Sequence, residues 1–324
     1  MRLTGKPVLC NYYITYRCNA SCSFCDIWEK PSPYSTLENV ENNLVDLKKL
    51  GVKVIDFTGG EPLLHGEIEL LLKKAKELGF VTTLTTNGLL YPKKAVKLHK
   101  LVDMLHFSLD YADAEKHDSS RGTACFSKIL ESIEVALSLG ERPDILFTAF
   151  NNNIDEIEKV YTEVVVPNNL ILILNPSFSY NGIGEELTEE SLMTLQSWGK
   201  KKNVYLNNAF ISLRRNGGNS ILDPVCKAAS TTLVISPENK LLLPCYHLSD
   251  SEIQIDGNLF TLWKSQQVQM MIKMEGRMPE CEGCTINCYM QPSFATNINK
   301  YFWKALGSTL KYNYLKGTWK QLEW

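Results

Sequence analysis

The chain has 324 residues, 44% of them hydrophobic and 22% charged, with a formal net charge of -2 at pH 7. A chain of this length buries a sizeable core, as one large α/β barrel or two ordinary domains, and its composition excludes disordered and fibrous classes. The near-neutral charge offers no bulk attraction to nucleic acid, no run of 18 apolar residues spans a membrane, and MRLTGKPVLC lacks a signal peptide's apolar core, so a cytoplasmic protein is expected.

From residue 8 to about 205, short β-branched runs alternate with longer amphipathic stretches, strand first, the pattern of repeated βα units. Strands are expected over 8–16, 52–58, 80–85, 104–109, 145–150 and 170–174, with helices over 37–50, 67–78, 93–101, 126–139, 155–164 and 189–201. In the second helix Ile68, Leu71, Leu72 and Ala75 form one stripe, and Gly51 and Gly79 sit where left-handed C-caps end helices. Periodicity leaves open a partial barrel or a doubly wound sheet; in both, ligands bind at the carboxyl ends of the strands. Beyond 205 a hairpin is expected, 231–236 and 241–245 flanking the turn Pro237, Glu238, Asn239, Lys240. A boundary falls within 205–220, with 214–219 as a flexible link, dividing the chain into a core (1–210), a cysteine-rich domain (211–294) and an aromatic, basic tail (295–324). Tyr301, Phe302, Trp303, Tyr312, Tyr314, Trp319 and Trp324 alternate in the tail with Lys300, Lys304, Lys311, Lys316 and Lys320. It can pack on the barrel, which is the expectation, make peripheral contact with a membrane, or cap a substrate channel.

Ten cysteines in a chain without an export signal point to metal ligation rather than disulfides. Cys18, Cys22 and Cys25 cluster early; Cys226, Cys245, Cys281, Cys284 and Cys288 gather late; Cys10 and Cys125 stand apart. The first three follow C-x3-C-x2-C directly after the first strand, on a loop at its carboxyl end. A 4Fe-4S cluster usually takes four thiolates, so three leave one iron open to the amino and carboxylate groups of an amino acid such as S-adenosylmethionine (SAM). The alternatives are a zinc site, which wants a fourth ligand where no histidine is near, or three unrelated thiols.

With Phe24 before its last cysteine, this loop resembles the signature of the radical SAM superfamily. Phe57-Thr58-Gly59-Gly60-Glu61-Pro62 resembles that superfamily's glycine-rich motif at the methionine amino group, where missing side chains let backbone approach a ligand. Thr85-Thr86-Asn87-Gly88 and Ser108-Leu109-Asp110 are similar to strand tips that help to bind SAM, although Ser and Asp at such positions also serve as helix caps. Arg121 in Ser119-Ser120-Arg121-Gly122 resembles an arginine that pairs with the SAM carboxylate; the other reading is a solvated surface residue. The resemblance implies a partial (β/α)6 barrel over 8–205, with Cys18, Cys22 and Cys25 as catalytic cluster ligands. It places Phe24, Gly59, Gly60, Glu61, Thr86, Asn87, Ser108, Asp110 and Arg121 at the cofactor. The implied reaction is reductive cleavage of SAM to methionine and a 5'-deoxyadenosyl radical, which takes hydrogen from a peptide, natural product or lipid. An external low-potential donor of the flavodoxin or ferredoxin type supplies the electron.

Cys226-x18-Cys245 and Cys281-x2-Cys284-x3-Cys288, joined by Gly257-Asn258-Leu259 and Leu262-Trp263, resemble the auxiliary-cluster region called SPASM, or its shorter twitch form. Five cysteines instead of seven imply one auxiliary 4Fe-4S cluster. Asn239-Lys240 replaces the usual glycine, and the spacing to Cys288 is short. By analogy with twitch enzymes the ligands are Cys226, Cys245, Cys281 and Cys284, with Cys288 a substitute ligand or a spare thiol; a zinc ribbon is the alternative. The cluster could accept a substrate electron or anchor substrate. A spare thiol at Cys288, Cys125 or Cys10 that donated hydrogen would make the outcome epimerisation. With seventeen residues before Cys18, no N-terminal leader-peptide recognition domain is expected, and peptide maturation would need the leader to dock elsewhere or on a separate protein. The competing class, a non-catalytic iron-sulfur or zinc protein for electron transfer or structure, leaves Gly59, Gly60 and Glu61 without a purpose.

Overall fold

A computed structural model describes residues 6–180 and 182–317. Its elements run β1 (Leu9–Thr15), α1 (Leu37–Leu50), β2 (Val54–Gly59), α2 (Ile68–Glu77), β3 (Val81–Thr86), α3 (Tyr91–Leu98), β4 (Met104–Ser108), α4 (Ala114–Arg121), α5 (Phe126–Ser138) and β5 (Asp144–Ala149). There follow α6 (Ile157–Lys159), which continues as a π-helix over Val160–Val165, then β6 (Ile171–Pro176), α7 (Glu189–Trp198), β7 (Val204–Tyr205) and α8 (Asn208–Arg215). The C-terminal third adds α9 (Ala228–Thr231), β8 (Thr232–Ile235), β9 (Lys240–Leu243), β10 (Ser251–Gln254), α10 (Leu259–Lys264), α11 (Gln266–Lys273), α12 (Asn287–Thr296) and α13 (Lys300–Lys316).

Helix α1 shows how sequence sets these bounds. The Thr36 side chain accepts from the Asn39 N–H, Val40, Leu44, Leu47 and Leu50 bury one face, and Gly51 ends the helix in the left-handed region at φ 97°. Strands β1 to β6 lie side by side in chain order, all parallel, without the reversal of strand order that marks a doubly wound sheet. The sheet is therefore a partial barrel, open between its edges. β7 extends the β6 edge, while β8 joins β1 in parallel and carries β9 and β10 beyond it.

Alternation along the strands separates two environments. Tyr12, Ile14, Ile55, Phe57, Leu84, Phe107, Phe147 and Leu172 are fully buried against the helical ring. The opposite face carries Tyr13, Asp56, Thr83, Thr85, His106, Thr148 and Asn175, with Leu146 and Ile173 as its aliphatic members, so the barrel interior is a largely polar chamber rather than a packed core.

Helices of the C-terminal third close the open side. At the start of α12 the Asn287 amide donates to Asn175 Oδ1 (2.8 Å) and Pro176 O (2.6 Å) on β6. Two residues on, the Tyr289 hydroxyl accepts from the Tyr246 N–H, and the Tyr246 ring stacks on Tyr13 of β1 at 4.5 Å. Helix α13 packs on α8, α12 and β7 and forms a floor, where Tyr312 and Lys316 bond Asp144 at the start of β5. The tail thus packs on the barrel as far as Gly317; Trp319, Lys320 and Trp324 lie outside the described residues, among which no helix is long and apolar enough to cross a membrane.

Residues 214–219 are not a flexible link. Gly217 and Gly218 take positive φ, a Cβ on Gly218 would strike the Gly283 carbonyl, and Asn219 is buried with its amide bonded to Gly276 O and Cys281 O. The paired glycines serve a turn and a close backbone approach.

Candidate functional site

The loop after β1 carries Cys18, Cys22 and Cys25, each partly exposed. Its shape is set by hydrogen bonds to the end of α4, from the Ser21 N–H to Arg121 O (3.0 Å) and from the Ser23 N–H to Ser120 O (3.2 Å), and by the turn bond from the Cys25 N–H to Cys22 O. Burial above all, with charge on Glu61, Cys22 and Cys25, pushes the Cys18 thiol up to about 11, so the three sulfurs are within electrostatic reach of one another.

Strand tips crowd this loop. Gly59 at φ 139° and Gly60 lie so close to the backbone of Thr15, Tyr16 and Arg17 that a Cβ on either would collide with it, and the N–H groups of Gly60 and Glu61 donate to Thr15 O and Arg17 O. Glu61 is buried. Its Oε1 accepts from the Leu63 N–H and the Thr86 hydroxyl, and its Oε2 from the Asn87 N–H (2.9 Å). Burial raises its carboxyl to about 7 against the lowering effect of these donors. The Asn87 amide then bonds Asn19, tying the β3 tip to the cysteine loop. Glu61, Thr86 and Asn87 are one assembly.

Arg121 is 7% exposed, which corrects the reading as a solvated surface residue. Its Nη1 lies 3.9 Å from Cys22 Sγ and its Nη2 donates to Asp110 Oδ2, while Phe24 stacks beneath it with 5.2 Å from Cζ to the ring centroid. Phe24 is backed in turn by Phe150. Asp110 is fully buried and also accepts from the Thr148 N–H, so it orients Arg121 rather than facing open space, whereas Ser108 ends β4 nearby. The Arg121 Nε is buried without a partner among the described residues. A cleft of about 640 Å³ lined by Ser23, Phe24, Lys116 and Phe150 opens on one side of the loop, and another of about 580 Å³ lined by Arg17, Cys18 and Trp28 on the other.

The second thiol group gathers Cys226, Cys245, Cys281 and Cys284. Burial raises all four, Cys245 to about 12 and Cys284 to about 11, and charge on Cys284 raises both Cys226 and Cys245. Asn219, missed by sequence reasoning, is the pin: its Oδ1 accepts from the Cys226 N–H, its amide donates to Cys281 O, and its N–H donates to Cys284 O. Cys288 stands apart. The residue is exposed, and desolvation first and the Asp56 charge second raise its thiol to about 11, which puts its sulfur on the chamber side near Asp56. Cys10 and Cys125 are fully buried among apolar side chains.

Among the described residues no three sulfur, imidazole or carboxylate donors converge as a single metal ion requires. A cubane takes one thiolate per iron and asks only that thiols ring a common space. The all-sulfur donor sets, the second held by buried backbone contacts, fit that group.

An open parallel βα barrel with a three-thiol loop at its mouth defines a class, enzymes that hold an iron-sulfur cluster with one iron left open beside a glycine-rich cofactor cradle. The radical SAM superfamily model matches residues 12–164. A GTP 3',8-cyclase of Peptoclostridium acidaminophilum is 30% identical over 273 residues, 76% of this chain and 82% of its own. A probable GTP 3',8-cyclase of Sulfurisphaera tokodaii is 26% identical over 261 residues, 75% of this chain and 82% of its own. Among solved structures, Streptococcus suis SuiB bound to S-adenosylmethionine superposes with TM-score 0.64 at 17% identity, covering 82% of this chain and 67% of that one. Native anSMEcpe with bound AdoMet gives 0.63 at 17% identity, covering 95% and 97%; both share the fold. The chain belongs to the radical SAM superfamily and is an enzyme whose family uses a 4Fe-4S cluster and SAM.

Proposed function

We propose that this enzyme directs radical chemistry at a small polar substrate, a purine nucleotide of the GTP kind, held in the barrel chamber. The observation that carries the reading is the inward face of the strands, where Asp56, Thr83, Thr85, His106, Thr148 and Asn175 replace the aliphatic layers that fill a closed barrel. Relatives named as GTP 3',8-cyclases, aligned over three quarters of the chain, support the nucleotide. A lipid, for which the tail was the hint, has no such support, because α13 packs on the barrel.

Cys18, Cys22 and Cys25 hold the cluster; Gly59, Gly60, Glu61, Thr86 and Asn87 shape the cradle for SAM. Arg121, fixed by Asp110 and Phe24, holds its guanidinium beside Cys22 as the positive charge for the SAM carboxylate. A cluster held there would supply the one electron needed to cleave a carbon-sulfur bond of the SAM sulfonium, giving methionine and a 5'-deoxyadenosyl radical. The chain's own part is to exclude water and competing hydrogen donors, which α12 and α13 do by covering the open side and the floor. Cys226, Cys245, Cys281 and Cys284 hold an auxiliary cluster of the SPASM or twitch type, and an external low-potential donor provides the electron.

The test is anaerobic reconstitution with dithionite and SAM, with and without GTP. Formation of 5'-deoxyadenosine together with GTP-dependent conversion to a cyclised nucleotide is expected. Deoxyadenosine formation indifferent to GTP would overturn the nucleotide, and its absence under all conditions would overturn the assigned cofactor roles.

A further inference from the structure

Asp56 lies between Ile55 and Phe57, both fully buried in the helix-facing core, so its carboxylate points into the chamber. One oxygen accepts the Thr83 hydroxyl at 2.5 Å from the adjoining strand. Its other oxygen has no hydrogen-bond partner among the described residues, and no lysine, arginine or histidine there forms an ion pair with it. The chamber's second acid is the contrast: Asp144 is met by Lys316 at 2.8 Å and Tyr312 at 2.6 Å. The titratable groups near Asp56 are the Cys288 thiol on the chamber side and, across the strand in the helix-facing core, the Cys10 thiol, neither of which can neutralise it. Burial, opposed only by the Thr83 hydrogen bond, lifts the carboxyl to about 6. Asp56 is partly exposed, so its free oxygen opens onto the chamber, and with no counter-charge beside it a ligand able to complete its hydrogen bonding is favoured there.

The chemistry of that ligand follows from the group. A carboxylate with a free oxygen binds N–H donors, most strongly two side by side, and repels phosphate. Guanine presents N1–H and the 2-amino group as adjacent donors; adenine presents an acceptor at N1, and hypoxanthine keeps N1–H without the amino group. Position agrees: Asp56 is three residues, about 10 Å of strand, below the Gly59 cradle, so a nucleoside whose sugar lies under the cofactor reaches it with its base. We infer that Asp56 is a specificity-determining residue that receives the N1–H and 2-amino donors of a guanine base; the inference rests on the nucleotide reading above.

Calorimetric titration of the full-length, cluster-loaded chain with GTP, ITP and ATP tests it on native protein and Asp56→Asn, with SAM binding as the control for intact folding. Native protein should bind GTP about 10- to 100-fold more tightly than ITP, and ATP more weakly still, as expected for a site built around specific donors. The Asn variant should lose that margin and bring GTP and ITP together while SAM affinity stays within about twofold. GTP affinity of the native protein should fall as pH drops through about 6, and the variant's should not. Equal GTP affinity and an unchanged GTP-to-ITP ratio in Asp56→Asn overturn the inference and leave the nucleotide reading standing. Absence of GTP binding by the native chain overturns the nucleotide reading, and this inference with it.

Discussion

Replacing Lys316 with methionine tests whether α13 is a structural floor. Asp144 is fully buried, and Lys316, whose side chain is 9% exposed, donates to its Oδ1 at 2.8 Å and to Arg142 O at 2.6 Å. Removing one partner of a buried pair strands the other charge at a cost of about 3–5 kcal/mol. The Tyr312 hydroxyl on Oδ2 at 2.6 Å and the His106 Nε2 at 3.7 Å remain, so Lys316→Met should cost about 3 kcal/mol, the lower end of that range. Urea denaturation measures it, and the Asp144→Asn/Lys316→Met double variant should recover about half the loss because no charge is left stranded. A second readout is local. Burial lowers the His106 pKa, Asp144 raises it and Lys316 lowers it, so removing the lysine should move the His106 titration upward by NMR. A variant within about 0.5 kcal/mol of native, or an unmoved His106, would refute the floor.

Cys288→Ser should reconstitute with the native iron and sulfide content, whereas Cys245→Ser should lose the second cluster's share; equal losses would place Cys288 among the ligands. Gly60→Ala, whose Cβ would strike the Arg17 and Tyr16 carbonyls, should weaken SAM binding by at least about tenfold. Gly66→Ala, with nothing within 4 Å, should leave it unchanged in the same equilibrium titration. Asp56 has a folded pKa of about 6, raised above its ordinary value, so its contribution to stability is complete below the unfolded pKa and is lost as pH rises through about 6. Asp56→Asn should therefore be more stable than native at pH 8, by a margin that shrinks as pH falls through about 6 and vanishes below the ordinary carboxylate range, read by denaturation midpoints; a constant difference would refute the raised carboxyl pKa.

Much of the scaffold was legible because its determinants are local. The 37–50 helix ends at Gly51 as expected, and the six strands fall within two residues of their expected positions. Helix α4 was not legible, because AEKHDSSR has no apolar stripe and its buried side chains are His117 and Arg121. The expected 155–164 helix breaks into 3-10, α and π pieces, which its valines disguise as one periodic stretch. At the site, the cysteine loop is a contiguous motif and could be read directly. Asp56 could not, because one aspartate in a β-branched strand reads as solvent-facing until the opposite face is known to line a chamber. Asn219 sits in a glycine-rich stretch whose composition suggests a linker, and only the return of residues 276–284 to the same place gives it partners.

The parallel strands from β8 through β7 do not close into a ring, since β7 and β10 remain the edges of the sheet, and what fills the gap decides what the interior can be. Here the gap is filled by the helices that follow the second thiol group. Arg214, with its side chain 3% exposed, joins the two: it donates to Ser177 O just beyond β6 and to Asn287 Oδ1 at the start of α12, and its charge lowers the Cys284 pKa. Asn287 in turn grips Asn175 and Pro176, and the next residue, Cys288, looks into the chamber toward Asp56. The segment that gathers Cys281 and Cys284 is therefore the segment that walls the substrate space. Asn219 and Arg214 tie the segment that carries Cys281 and Cys284 to the position of α12 beside the chamber.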